Sequence, residues 1–194
     1  MGIRLFVAVY PPSAVVEHLS ARVGDLAVGR AARSGVNARL AAAGQWHLTL
    51  TFLGEVPDEQ VPTAVSAVRE AVGRWQLRHE PAPLRLAGGG RFGRGRFTIL
   101  WVGVDGDAAG MVALAAAIQQ ALRTARLPYD RKPLRSHLTL ARPGDRVDIT
   151  DDLVALAAYV GPWWIPDQIV LVRSTLGPRP RYEQVAVIAL SAPA

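Results

Sequence analysis

Apolar positions along the chain follow two different periods. Residues 3–10 (IRLFVAVY) are rich in β-branched and aromatic side chains and stop at Pro11-Pro12, which predicts a strand. Val15, Val16, Leu19, Val23 and Leu26 then recur at helical spacing and predict a helix over 13–28. A Gly/Arg/Ser loop leads to a short predicted strand over 36–40. Residues 46–53 alternate and are closed by Gly54. Asp58 can cap a helix carrying Val61, Val65, Val68 and Val72 on one face. Residues 84–86 and 97–104 predict two strands joined by the loop GGGRFGRGR. Residues 107–127 predict a second long amphipathic helix, stopped by Pro128. A strand over 134–141, a short helix capped by Thr150 and reaching residue 159, and strands over 169–175 and 182–190 complete the pattern.

Strands often follow one another directly. That order implies an α+β fold with largely antiparallel sheets rather than a doubly wound parallel one. No linker or low-complexity tract divides residues 1–194, which are expected to form a single domain. Half of the residues are apolar and 20% are charged, a balance that excludes a disordered chain. The absence of cysteine removes disulfides, thiolate metal sites and cysteine nucleophiles, and fits a reducing compartment. The apolar run before Pro11-Pro12 is too short for a signal peptide, and no later run approaches the ~20 residues of a membrane span. A soluble, cytoplasmic, monomeric protein is the expectation. Net charge is +6, and all basic residues except Lys132 are arginine. The sign favours anionic ligands such as nucleotides or RNA.

One internal repeat carries chemistry. His47-Leu48-Thr49-Leu50 returns 90 residues later as His137-Leu138-Thr139-Leu140, and the chain has four histidines in all. Repeated sequence implies repeated architecture, here two lobes related by a pseudo-twofold axis. In a strand, His47 and Thr49 share one face while Leu48 and Leu50 take the other, and the second copy behaves alike. If the two strands meet, two imidazoles and two hydroxyls line one cleft and form a cage suited to a single phosphate. One imidazole can then give a proton while the other takes one. This argument is symmetric and does not choose between them. With no cysteine, and no carboxylate at ligand spacing, the pair makes a poor zinc site.

The paired H-x-T-x motifs resemble those of the two-histidine (2H) phosphoesterases. The closer likeness is to the RNA 2′,3′-cyclic phosphodiesterase, or 2′-5′ RNA ligase, family. RLFVAVYPP resembles its opening strand and QWHLTLTFLGEV its first motif block. FTILWVGV resembles the strand before its third helix, KPLRSHLTLAR its second block, and LVRSTLGPRPRYEQVA its C-terminal hairpin. The family usually has an aromatic residue where Leu134 stands and often proline where Ser136 stands. The resemblance implies a bilobal α+β fold, metal- and cofactor-independent chemistry, His47 as proton donor, His137 as proton acceptor, and Thr49 and Thr139 as phosphate ligands. The implied reaction opens a 2′,3′-cyclic phosphate on an RNA end or a small nucleotide to a 2′-phosphomonoester. Alternatives are ATP-independent 2′-5′ joining of tRNA halves and a non-catalytic RNA- or nucleotide-binding module. A pure binder has no need of the paired imidazoles.

Further candidates surround the motifs. Arg135, two residues before His137, shares its face and can bind substrate. Gln45 and Thr51 flank the first motif on the same face. Gly88-Gly89-Gly90-Arg91-Phe92-Gly93 matches G-x-G-x-x-G but leads into no helix, so it lacks the phosphate site of dinucleotide folds. A mobile basic hairpin loop is expected there, whose Arg91, Arg94, Arg96, Phe92 and Phe97 can touch RNA. Asp145, Asp148, Asp151 and Asp152 precede a helix whose N-terminus they suit.

Overall fold

The computed structural model describes residues 2–175 and 181–191 of the chain. The tip of the expected C-terminal hairpin, 176–180, lies outside them. The element order is β1 Gly2–Val9, α1 Ser13–Asp25, α2 Ala27–Arg33, β2 Leu48–Pro57, α3 Val61–Gln76, β3 Leu84–Phe92, β4 Ile99–Gly106, α4 Ala108–Thr124, β5 His137–Ala141, α5 Thr150–Ala157, β6 Val160–Trp164, β7 Gln168–Thr175 and β8 Arg181–Ala189.

Two four-stranded antiparallel sheets result, in the orders β2-β1-β7-β8 and β5-β4-β3-β6. The first sheet is built from both ends of the chain and the second from its middle. Each motif strand, β2 and β5, is the edge strand of its sheet. These two edges contact one another, and the segment that precedes β2 is tied to β5 by the Leu40–Ala141 bridge and the Ala41 N–H to Leu140 carbonyl bond of 2.8 Å. The fold is thus α+β, with helices flanking the sheets.

Alternation decides which face is covered. Leu5, Val7 and Val9 of β1, Leu48 and Leu50 of β2 and Leu138 and Leu140 of β5 are all at most 2% exposed and join one apolar core. Burying each such leucine is worth about 1.5–3 kcal/mol. Helices α3 and α4 pack on one another and α5 packs on β3. On α3, Val68 and Val72 are buried with Ala64, Ala67, Ala71 and Trp75, while Val61 and Val65 lie at the rim of the stripe. The opposite face of the first sheet carries Phe6, Ala8, Val170 and Val172, a separate apolar cluster joined by Tyr10 and Tyr182.

Several elements differ from the sequence pattern. The glycine-rich stretch is strand: β3 runs to Phe92. Gly90 pairs with Trp101, and a side chain there would meet the Trp101 indole at 2.7 Å, so only glycine lets the ring lie across the strand. Residues 36–40 contribute one isolated bridge rather than a strand, and β5 begins at His137. Thr150 is the first helical residue of α5. The cap is supplied by Asp148, whose carboxylate accepts from the Thr150 N–H at 2.9 Å and its hydroxyl at 2.7 Å. Asp152, 2% exposed, instead caps α2, accepting the N–H groups of Ala27 (2.6 Å) and Val28 (3.1 Å). Strand β6, with its two tryptophans, has no counterpart in the sequence-based expectation.

Candidate active site

The two repeats adopt the same local construction. His47 Nδ1 lies 2.6 Å from the Gln45 carbonyl, and His137 Nδ1 lies 2.6 Å from the Arg135 carbonyl. A carbonyl oxygen only accepts, so each Nδ1 carries the hydrogen. In the neutral ring this leaves the lone pair on Nε2, the nitrogen turned away from the backbone. Both imidazoles are therefore held in one tautomer and one orientation by the residue two positions upstream.

Each motif strand then bulges just past its threonine. Ala8 pairs with Thr49 but Val7 pairs with Thr51, so Leu50 is the extra residue of β2. Trp101 pairs with Thr139 and Leu100 with Ala141, so Leu140 is the extra residue of β5. A bulge inverts the alternation beyond it. His47 and Thr49, and likewise His137 and Thr139, stay on the unburied face, whereas Thr51 is turned over against Val7 and is only 4% exposed. The expectation that Thr51 shares the motif face is thereby corrected. Phe52 takes that side instead, with its ring 6.0 Å from that of Phe6. Three residues after the second threonine the same inversion affects Arg142, whose positive charge reaches Tyr182 and works against the rise in its pKa. Strict alternation conceals Arg142; its available signal is the H-x-T-x-x-Arg spacing.

Aromatic rings surround both imidazoles unequally. His47 is stacked on Phe6 (4.9 Å between centroids, 26° between planes) and flanked by Tyr10 and Tyr182, each at 5.5 Å. Phe6 lies on β1 and Tyr10 just past its end, an even spacing of four that is readable in the sequence; Tyr182 comes from β8. His137 meets the edge of Phe92 at 4.9 Å, with Trp101 at 6.3 Å. Arg135 also approaches this group, its guanidinium carbon 5.7 Å from the Phe92 ring. Leu134, where the family usually has an aromatic residue, packs against the core.

The electrostatics follow from this burial. Desolvation lowers the pKa of His47 below its usual 6.5. The hydrogen bond to Gln45 opposes the shift, and the charge of His137 adds to it. The second imidazole is thus near enough to act on the first. Burial also raises Tyr10 to about 12, with Tyr182 contributing, so its hydroxyl stays a donor at neutral pH. The hydroxyls of Thr49 and Thr139 bond to no group among the described residues. Two fixed Nε2 atoms, two free hydroxyls and Arg135 and Arg142 nearby make an arrangement that can bind a phosphate and pass a proton on either side of it. Among the described residues no three His, Asp or Glu side chains gather as a metal-binding group.

Residues 6–177 match the 2′-5′ RNA ligase superfamily. The chain belongs to this superfamily of two-histidine phosphoesterases. It is 31% identical over 188 residues to an RNA 2′,3′-cyclic phosphodiesterase of Geobacillus stearothermophilus, a match covering 95% of this chain and 56% of that protein. A second RNA 2′,3′-cyclic phosphodiesterase, from Thermus thermophilus, is 34% identical over 145 residues, 70% of this chain and 66% of the relative. The matched regions thus span less than two thirds of each relative. Among solved structures, TT0787 of Thermus thermophilus superposes with a TM-score of 0.71 and 26% identity, covering 97% of this chain and 98% of the other. E. coli LigT complexed with NADP+ superposes with a TM-score of 0.70, again at 26% identity, covering 98% and 99%. Among the described residues no helix is long and apolar enough to cross a membrane.

Proposed function

We propose that this protein hydrolyses 2′,3′-cyclic phosphodiesters of RNA ends and small nucleotides to 2′-phosphomonoesters, without a metal ion. The observation that carries this reading is the pair of 2.6 Å Nδ1-to-carbonyl bonds, which present two Nε2 atoms in matched settings. Water attacks phosphorus and loses its proton to His137 Nε2. The P–O3′ bond breaks in line, and O3′ takes a proton from His47 Nε2. The product carries a 2′-phosphate and a free 3′-hydroxyl. Thr49 and Thr139 donate to the non-bridging oxygens, and preorganised donors of this kind offset the charge that builds on phosphorus. Arg135 steadies the substrate beside them. The choice of His47 as donor comes from the family resemblance.

Burial makes free His47 a weak base, which at first sight suits a proton donor poorly. A bound cyclic phosphate brings a negative charge to the ring and favours its protonated form. The donor is thus charged as substrate arrives. The test is incubation with 2′,3′-cyclic AMP in excess EDTA, with products resolved by phosphorus NMR. We expect 2′-AMP. Dominant 3′-AMP overturns the donor–acceptor assignment, and loss of turnover in EDTA with rescue by zinc or manganese overturns the metal-independent reading. The whole of residues 1–194 acts as one domain in this proposal. The same chemistry reversed, with an RNA 5′-hydroxyl in place of water, gives 2′-5′ ligation, and no observation favours it over hydrolysis.

A further inference from the structure

The turn joining β3 to β4 is a built platform. Gly93 (φ +69°) and Gly95 (φ +54°) hold left-handed conformations, and a side chain on Gly93 would collide with the Phe97 carbonyl at 2.5 Å. The Gly95 carbonyl accepts from both the Thr98 N–H (3.0 Å) and the Thr98 hydroxyl (2.7 Å), closing a 3-10 turn over Gly95–Phe97. This turn leaves the Phe97 ring 69% exposed. The Arg96 guanidinium lies over that ring, 4.8 Å from its centroid. Arg91 and Arg94 are exposed beside it, and none of the three arginines forms an ion pair among the described residues. Asp145 is the neighbouring carboxylate, close to Gly95. Inward from the turn, Phe92 touches the His137 ring, and Arg135 covers Phe92.

The second histidine, Phe92 and Arg135 thus lie at the base of the turn that carries Arg96 and Phe97. Exposed aromatic faces interleaved with unpaired arginines are what single-stranded nucleic acid requires: rings for its bases and charges for its backbone. We propose that this turn holds the RNA strand on the 5′ side of the terminal cyclic phosphate, with one base stacked on Phe97 and backbone phosphates against Arg91, Arg94 and Arg96. The inference rests on the phosphodiesterase reading and adds to it a subsite for the chain beyond the terminal nucleotide.

The experiment compares wild type, Phe97→Ala and the triple variant Arg91→Gln/Arg94→Gln/Arg96→Gln. Two probes are used: 2′,3′-cyclic AMP, and a ten-nucleotide RNA ending in a 2′,3′-cyclic phosphate. Binding of the RNA is followed by fluorescence anisotropy and turnover of both is followed by chromatography. Phe97→Ala is expected to weaken RNA binding about 10-fold. The triple variant is expected to lower the slope of log Kd against log salt by about 2, at roughly 0.7 for each phosphate no longer neutralised. Turnover of cyclic AMP should stay within about 2-fold in all variants. Unchanged RNA binding in a variant that still turns over cyclic AMP overturns the platform, whatever other macromolecule the turn contacts. Equal losses on both probes overturn it too, since they place the turn's role in the catalytic centre or the fold. Failure of wild type on cyclic AMP instead refutes the phosphodiesterase reading, and the anisotropy titration still decides the platform.

Discussion

The two threonines offer the sharpest perturbation. Valine has the same shape as threonine and the same preference for a strand. Neither hydroxyl has a partner among the described residues, so Thr49→Val and Thr139→Val remove a donor that the resting protein does not use. The stability change should stay within about 1 kcal/mol, a shift in Tm of about 2–4 °C for a chain of this size. Catalysis should respond much more strongly. A hydrogen bond to a charged acceptor is worth about 1.5–3 kcal/mol, and a preorganised donor to developing charge about 2.7–4 kcal/mol. Each variant should therefore lower kcat/KM on 2′,3′-cyclic AMP by about 10- to 1,000-fold. The bulges after Thr49 and Thr139 place the residues alike, so the two losses should be of similar size. Initial rates by chromatography, with Tm from circular dichroism on the same samples, measure both quantities. Loss of less than about 3-fold in either variant, or a large fall in Tm that tracks the loss of activity, refutes the phosphate role.

Three other outcomes follow from the same geometry. His47→Ala and His137→Ala should each lower kcat by about 10²–10⁴ in steady-state assays while circular dichroism stays native; retained activity in either sinks the paired mechanism. The pH profile of kcat/KM should be a bell with its lower macroscopic pKa below 6.5, because desolvation depresses His47. The folded pKa lies below the unfolded one, so His47's contribution to stability is complete above pH 6.5 and is lost as pH falls toward the folded value. A flat kcat/KM profile between pH 5 and 9 counts against the first statement, and a Tm as high at pH 5 as at pH 7 counts against the second. Asp152→Ala should cost about 2–4 kcal/mol, since it leaves two N–H groups at the start of α2 without an acceptor. A Tm unchanged by the substitution excludes that capping role.

Much of the fold is legible in the sequence because its signals are redundant. Residues 3–10, 46–53 and 169–175 alternate with β-branched residues and form β1, β2 and β7, within a few residues of the expected ends. The repeated His-Leu-Thr-Leu tetrapeptide locates both edge strands, and its alternation correctly assigns His and Thr to one face and leucine to the core. Where the pattern misleads, the deciding information lies in another strand. Nothing local announces that Leu50 and Leu140 are bulged, so alternation puts Thr51 on the wrong face and passes over Phe52 and Arg142. The glycines at 88–90 read locally as loop. They fall in β3 because of what packs there: a side chain on Gly89 would meet Leu156 and the Trp101 carbonyl, and one on Gly90 the Trp101 indole. Strand β6 hides behind Gly161 and Pro162, and pairing with β3 makes it a strand. Tyr182, distant in sequence from His47, reaches its ring through the order β2-β1-β7-β8.

The central claim is that two locked imidazoles meet on one phosphate. Nitrogen-15 NMR of the histidine rings during titration with 2′-AMP measures this directly. Before titration both rings should show protonated Nδ1, fixed by the Gln45 and Arg135 carbonyls. On binding, both Nε2 signals should move together with one dissociation constant, His47 should shift toward the imidazolium form, and the Nδ1 protons should stay in place. Movement of one ring alone, or an Nε2–H tautomer at either histidine in the free protein, would contradict the account.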